Sequence, residues 1–257
     1  PLISGESGCA TVAAILAVAQ QSKLRKSLEI DSNFSISKNG LMRCEAYICD
    51  WTFYSLRKKW LESLGIENDA IEPLGAMSYQ DNPENHLIRA RNFYKKNFYC
   101  KSNKVLSTNK HKLRIGYFSA NFFNHPVMHL MVRIFELHNK NNFEIYAYDY
   151  GLNIEDEMTI RLKNSFSTYR NIKTLNDDEV ILLARNDDLD IAVDLMGYTK
   201  HNRMAIFSYR VAPIQINYLG YPASVGSNMI DYILADKIVI PDNYERFYSE
   251  KILNMPN

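Results

Sequence analysis

The feature that most constrains this chain is a change of hydrophobic period at about residue 112. Beyond it, β-branched and aromatic runs recur at strand length: Leu113-Arg-Ile-Gly-Tyr-Phe-Ser, Phe143-Glu-Ile-Tyr-Ala-Tyr-Asp-Tyr, Leu189-Asp-Ile-Ala-Val-Asp-Leu, Pro213-Ile-Gln-Ile-Asn-Tyr-Leu and Met229-Ile-Asp-Tyr-Ile-Leu-Ala. Helical stretches separate them at 128–137, 155–165, 177–186 and 203–209, and a further strand finishes near Lys251-Ile-Leu-Asn. Strand, helix, strand repeated in this way predicts a largely parallel sheet with right-handed crossovers, an α/β, Rossmann-like lobe over 113–257. Sheets of this kind bind ligands outside the carboxyl ends of their strands, so the loops that follow each run are the places to look for chemistry.

Before the change the pattern is helical, over residues 1–100. Trp51, Tyr54, Leu56, Trp60, Leu61 and Leu64 recur at helical intervals and stop at Gly65. Asp81-Asn82 supplies a cap for a helix beginning at Pro83 and running through His86, Leu87, Ala90, Phe93 and Tyr94. The apolar run from Cys9 to Ala19 is too short to span a bilayer and predicts a buried helix closed by Gln20-Gln21. The start at Pro1, without a methionine, carries the expectation of further chain upstream. Lysine-rich residues 101–112 read as a solvated connector between the two parts.

Charge narrows the function classes. Lys and Arg total 30 against 29 Asp and Glu, a formal +1, so no global field recruits nucleic acid or an anionic membrane, and neither is expected as a partner. Cys9, Cys44, Cys49 and Cys100 show no C-x-x-C or zinc-ribbon spacing and are expected to be reduced thiols of a cytoplasmic protein.

The first strand delivers Asn121-Phe-Phe-Asn-His-Pro-Val-Met-His129. Pro126 suits the first turn of a helix, which puts Asn124 or His125 at a helix N-terminus, where free N–H groups and the dipole favour a polar or anionic ligand. His125 is able to hydrogen-bond a substrate or relay a proton near neutral pH; the alternative is a histidine that only caps the helix. His125 and His129 stand four apart, but no glutamate lies between them as in H-E-x-x-H and no third ligand is spaced for it, so no metal is expected. Gly220-Tyr-Pro-Ala-Ser-Val-Gly226 lacks the G-K-[ST] of a P-loop, and Gly116 is not part of G-x-G-x-x-G, which disfavours ATP and NAD. Gly220 either lets the backbone approach a ligand or simply ends a strand. Tyr198-Thr-Lys-His-Asn-Arg203 gathers a hydroxyl, an ammonium, an imidazole and a guanidinium on one loop, with a merely solvated loop as the alternative.

Taken together, Leu113-Arg-Ile-Gly-Tyr-Phe-Ser-Ala, Asn124-His-Pro, Met196-Gly-Tyr-Thr-Lys, Ala212-Pro-Ile-Gln, Leu219-Gly-Tyr-Pro, Met229-Ile-Asp-Tyr-Ile and Tyr248-Ser-Glu-Lys resemble the catalytic region of the O-linked N-acetylglucosamine transferases, the SPINDLY-like group. Ile48-Cys-Asp-Trp resembles the segment joining that family's tetratricopeptide repeats to its catalytic region. The resemblance covers about residue 45 to the end. It implies the N-terminal Rossmann-like lobe of a GT-B glycosyltransferase, preceded by helices, with the C-terminal lobe that holds most UDP contacts and an essential lysine outside these 257 residues. The implied reaction is inverting transfer of N-acetylglucosamine from UDP-GlcNAc to Ser/Thr hydroxyls of acceptor proteins, without a metal or other cofactor. His125 matches the family's active-site histidine, with Asn124 beside it. Pro126 and Val127 match the edge of the sugar and acceptor site, and Leu219, Gly220, Tyr221 and Pro222 the loop near the transferred sugar. Tyr198, Thr199, Lys200 and Arg203 match a loop on the acceptor side. Asn121 stands where many members carry aspartate, and an amide neither acts as a base nor stabilises an imidazolium as a carboxylate does. Ala223-Ser224, in place of the common Gly-Thr, is a milder departure. With Asn121 in view, the alternative is a non-catalytic protein-interaction module derived from such an enzyme.

Overall fold

The computed structural model describes residues 6–67, 69–98 and 111–256, excepting the side chains of residues 6–15. Cys100, the side chain of Cys9 and nearly all of the expected connector therefore lie outside the described residues. Contacts divide the chain into two units, Pro1–Asn97 and Phe98–Asn257.

The first unit is helical: α1 (Glu6–Ile30), α2 (Ser35–Tyr47), α3 (Tyr54–Trp60), α4 (Leu74–Met77) and α5 (Pro83–Asn97). Gln20-Gln21 does not close α1. Gln, Lys, Leu and Arg are all strong helix formers, so the helix runs on to Ile30. Nor is it buried all round. Ala17 is covered, while Leu16 and Val18 stand exposed at 62% and 54%. Only one stripe of α1 meets α2, and there Leu24 lies so close to Gly40 that an added Cβ would meet its Cδ1 at 3.2 Å. The expected Trp51–Leu64 helix shortens to α3, followed by turns up to Gly65 at φ +72°.

Met42, Leu61, Leu64, Ile71, Ala76 and Tyr79 form the core of this unit. Charge is buried beside them. Arg57 pairs with Glu45 through two bonds of 2.7 Å. Arg89, fully buried, donates from Nε to the Leu64 carbonyl at 2.9 Å, from Nη1 to Gln80 Oε1 at 2.8 Å and from Nη2 to the Leu61 carbonyl.

The second unit is a seven-stranded sheet in the order β3-β2-β1-β4-β5-β6-β7, parallel at every pairing. Its strands are β1 (Leu113–Ser119), β2 (Phe143–Asp149), β3 (Thr168–Asn171), β4 (Ile191–Asp194), β5 (Ile214–Tyr218), β6 (Tyr232–Ala235) and β7 (Lys251–Asn254). Between them lie α6 (Pro126–Leu137), α7 (Glu157–Ser165), α8 (Asp177–Asn186) and the single turn α9 (Ala205–Ser208). The α/β reading holds, with one strand more than the sequence pattern indicates. The strand β3 has four residues at the sheet edge and none of them is buried, so it carries no apolar run to read. The helix expected at 203–209 is one turn because Arg210 leaves it at φ +55°.

Period-two alternation splits β1 between two packed faces. Ile115 and Tyr117 join Met131, Phe135, Ile145, Leu162 and Val193 on one side. Phe118 stacks on Tyr148 at 4.2 Å on the other, where a Cβ at Gly116 would lie 2.5 Å from Leu189. Among the described residues no helix is long and apolar enough to cross a membrane.

Candidate functional site

In a 3-2-1-4 order the chain leaves β1 in one direction and returns beside it as β4, which makes their carboxyl ends the topological switch point. The β1–α6 loop and the loops after β4 and β5 all emerge at this edge.

His125 is the N-cap of α6, in extended backbone at φ −139°, and its Nδ1 accepts the Val127 N–H at 3.2 Å, with Pro126 at the first helical position. The capping reading is the one the structure shows. Because an N–H occupies Nδ1, the neutral ring carries its proton on Nε2, which makes no hydrogen bond among the described residues. Burial pushes the imidazole below the usual histidine value. The positive end of α6 also disfavours a second proton. The arrangement makes His125 a neutral N–H donor and not a base.

Asn124 is exposed. Its backbone N–H donates to Asp156 at 2.7 Å, and its side-chain oxygen pairs with His129 Nε2 at 2.7 Å. Val127 is half-buried against the core and Pro126 is exposed. Among the described residues there is no group of three or more His, Cys, Asp or Glu that could hold a metal. Asn121 faces the next loop, with Nδ2 3.2 Å from Met196 Sδ, and its own N–H donates to Ser119 Oγ at 3.0 Å.

The loop after β4 is built on Asp194. This carboxylate, with no exposed surface, accepts the N–H groups of Met196 (3.0 Å) and Gly197 (2.7 Å) and the Asn217 side-chain amide (2.7 Å). Burial pushes its pKa up to about 6 even though these donors oppose the shift. Gly197 sits at φ +53°, and a Cβ there would lie 2.2 Å from Tyr221 Cβ, so only glycine lets the two loops meet. Tyr198 is fully buried, its hydroxyl donating to the Val225 carbonyl at 2.7 Å. Thr199 Oγ1 is buried with no hydrogen-bond partner, and Lys200 is exposed.

Arg203 is not presented to solvent with them. It donates to Asp177 at 2.7 Å and to the carbonyls of Ile172 and Leu175 at 3.1 and 2.9 Å, tying the loop to the β3–α8 connection.

The loop after β5 turns at Leu219, which is left-handed at φ +68°. Gly220 follows, where a Cβ would lie 1.7 Å from the Leu195 carbonyl oxygen. The close approach its glycine permits is thus to the β4 loop. Tyr221 is buried as a strut, its ring edge-on to Tyr198 at 5.6 Å. Leu219, Tyr221 and Pro222 line an apolar cavity of about 270 Å³ with Ile233, Ile240 and Tyr248.

The three loops therefore interlock. Asn124, Pro126, Lys200, Leu219 and Pro222 are exposed, His125, Val127, Thr199 and Gly220 are partly accessible, and Tyr198, Arg203 and Tyr221 act as supports. Sequence reasoning missed the buried polar residues that hold them: Ser119, Asp194, Asn217 and Glu250. The available signal was a carboxylate or amide at the end of an apolar strand run, as in Ile-Ala-Val-Asp194 and Ile-Gln-Ile-Asn217.

This architecture is shared by known proteins. A structure of a mutant O-GlcNAc transferase from Thermobaculum terrenum superposes with a TM-score of 0.70 at 23% identity, covering 91% of this chain and 46% of that one. A probable UDP-N-acetylglucosamine–peptide N-acetylglucosaminyltransferase, SEC, of Arabidopsis thaliana is 36% identical over 146 residues, 57% of this chain and 15% of its own. The UDP-N-acetylglucosamine–peptide N-acetylglucosaminyltransferase of Caenorhabditis elegans is 29% identical over 234 residues, 82% of this chain and 20% of its own. This chain thus spans a fifth or less of those two relatives. The sequence model of Glycosyl transferase family 41 matches residues 85–257, taking in the whole sheet and each of the three interlocked loops, and the chain belongs to that family.

Proposed function

We propose that this chain is the N-terminal lobe of the catalytic region of a cytoplasmic protein O-GlcNAc transferase, with residues 1–100 as the helical link to upstream repeats. The reaction is inverting transfer: the acceptor Ser/Thr oxygen bonds to the anomeric carbon, the bond from that carbon to the UDP oxygen breaks with its electron pair leaving on UDP, and the hydroxyl proton is released to solvent. UDP-GlcNAc is a substrate in this reading, and no resident metal or cofactor, nucleic acid or membrane takes part. The observation that carries it is His125. A neutral imidazole at the positive end of α6, whose Nδ1 is taken by the Val127 N–H and whose Nε2–H has no partner among the described residues, suits a substrate oxygen that gains negative charge during transfer. Further support comes from the activity for which the Arabidopsis and C. elegans relatives are named.

In the complete protein, His125→Ala is expected to lower kcat for UDP-GlcNAc-dependent transfer by about 100-fold, the typical loss of one donor at a reacting centre. Unchanged turnover removes His125 from the chemistry. Asn121 favours a second reading, a non-catalytic interaction module, because its amide is spent on Met196 and supplies no charge beside the histidine. A wild-type protein without turnover that gains it on Asn121→Asp is the outcome which supports that reading.

A further inference from the structure

The Tyr248-Ser-Glu-Lys block has no part in the reading above, yet its glutamate is almost wholly enclosed. Glu250 is 5% exposed. Its Oε1 accepts the Val225 N–H at 2.7 Å, and its Oε2 accepts the hydroxyls of Ser224 at 2.6 Å and Ser249 at 3.1 Å. Ser224 Oγ in turn accepts the N–H groups of Gly226 at 3.0 Å and Ser249 at 3.1 Å. One carboxylate thereby ties the far end of the Leu219–Gly226 loop to the start of β7. The near end is fixed separately, by Gly220 against the Leu195 carbonyl and Tyr221 against Gly197, whose N–H is held by Asp194.

No cation is paired with Glu250 among the described residues, and Tyr248, whose hydroxyl is held neutral by burial and by the Glu250 charge, offers it no counter-charge. A carboxylate enclosed without a counter-ion is costly to bury, and burial pushes its pKa upward. A neutral side chain of the same size would avoid that desolvation cost. What the carboxylate adds is convergent acceptance from a backbone amide and two hydroxyls, which no neutral side chain reproduces.

We propose that Glu250 is a positioning residue, holding Ser224, Val225 and Ser249 so that the Leu219–Gly226 loop keeps the shape that borders the transferred sugar. This rests on the transferase reading, in which that loop faces the donor. Gln at this position keeps the volume and one acceptor but turns an NH₂ toward Ser224 Oγ, which already accepts two N–H groups.

The test uses the complete protein with Glu250→Gln, Ser224→Ala and, as the conservative control, Ser224→Thr. Hydrogen exchange of peptides spanning 224–226 is measured alongside KM for UDP-GlcNAc and kcat. Faster exchange with a KM raised about 10- to 100-fold in Glu250→Gln and Ser224→Ala, and near-wild-type behaviour in Ser224→Thr, supports the assignment. Wild-type exchange in Glu250→Gln overturns it. Faster exchange with unchanged kinetics also overturns it, since the clamp then exists away from the sugar. If Glu250→Gln fails to fold, Ser224→Ala gives the same readouts. A wild-type protein without turnover defeats the transferase reading, and this proposal with it, whatever the exchange shows.

Discussion

Both units bury charge without a counter-ion, but they bury opposite signs. In the helical unit Arg89 lies among acceptors: the Leu61 and Leu64 carbonyls just past α3, and Gln80 Oε1. In the α/β unit Asp194 and Glu250 lie among donors, the N–H groups of Met196, Gly197 and Val225 and the side chains of Asn217, Ser224 and Ser249. The difference follows from what each kind of loop leaves unpaired. A helix ends in free carbonyls, which attract a cation. Tight turns after parallel strands leave successive N–H groups converging, which makes an anion-holding nest. Helical scaffolding is thus fixed by a cation and the candidate site by anions. Glu45 with Arg57, a buried ion pair of the helical unit, needs neither device.

The sharpest way to break this comparison is Arg89→Leu. Two buried carbonyls, of Leu61 and Leu64, lose their donor and Gln80 Oε1 loses one of two, and the expected loss is about 3 kcal/mol in urea denaturation. A loss below about 1 kcal/mol would mean water or neighbouring groups satisfy those carbonyls and that the cation is incidental.

Asp194 gives the next largest effect, and its sign is opposite to that of an ordinary salt-bridged carboxylate. Its pKa rises from 3.8 to about 6 on folding, so its contribution to stability is fully present below about pH 4 and is lost as pH rises through about 6. The amount is about 3 kcal/mol. His86, His125 and His138, all pushed down by burial, act the other way, favouring the fold above the ordinary histidine value and losing that as pH falls. Subtracting the Asp194→Asn profile from that of the wild type removes the histidines. The stability difference between the two proteins is expected to move against the wild type by about 2 kcal/mol between pH 4.5 and 7.5. A flat difference means that the three donors hold Asp194 ionised throughout.

The smallest effect is on stability at His125. Removing the cap by His125→Ala is expected to cost about 1 kcal/mol in the same denaturation experiment, however large the effect on transfer. A larger loss would place the residue with the structural supports and not with the substrate edge.

How much of this was readable in advance depends on whether the signal is local. The runs that became β1, β2 and β4 were readable because burial on both faces demands near-continuous apolar sequence, and β5 because its apolar residues alternate at strand period. The edge strand β3, Thr-Tyr-Arg-Asn, faces partly outward and has no such run. His125-Pro126 announced a helix start because proline fits that position and few others. Arg203 misled, because a guanidinium in a polar loop looks solvated until the carbonyls of Ile172 and Leu175 are seen around it. Tyr198 and Tyr221 misled for a related reason: a tyrosine near a ligand loop and a tyrosine bracing that loop look alike in sequence.

The sequence by itself determined the period of each segment, hence the parallel α/β sheet, the helical segment before it and the edge at which the glycine turns gather. Those follow from side chains a few residues apart. Only the tertiary structure decided which polar groups are enclosed and what they hold. Asp194 meets Asn217 across 23 residues, Glu250 meets Ser224 across 26, and Arg89 meets the Leu64 carbonyl across 25. Each of these groups has a defined role only because folding removes water and brings those distant partners in to complete its hydrogen bonds.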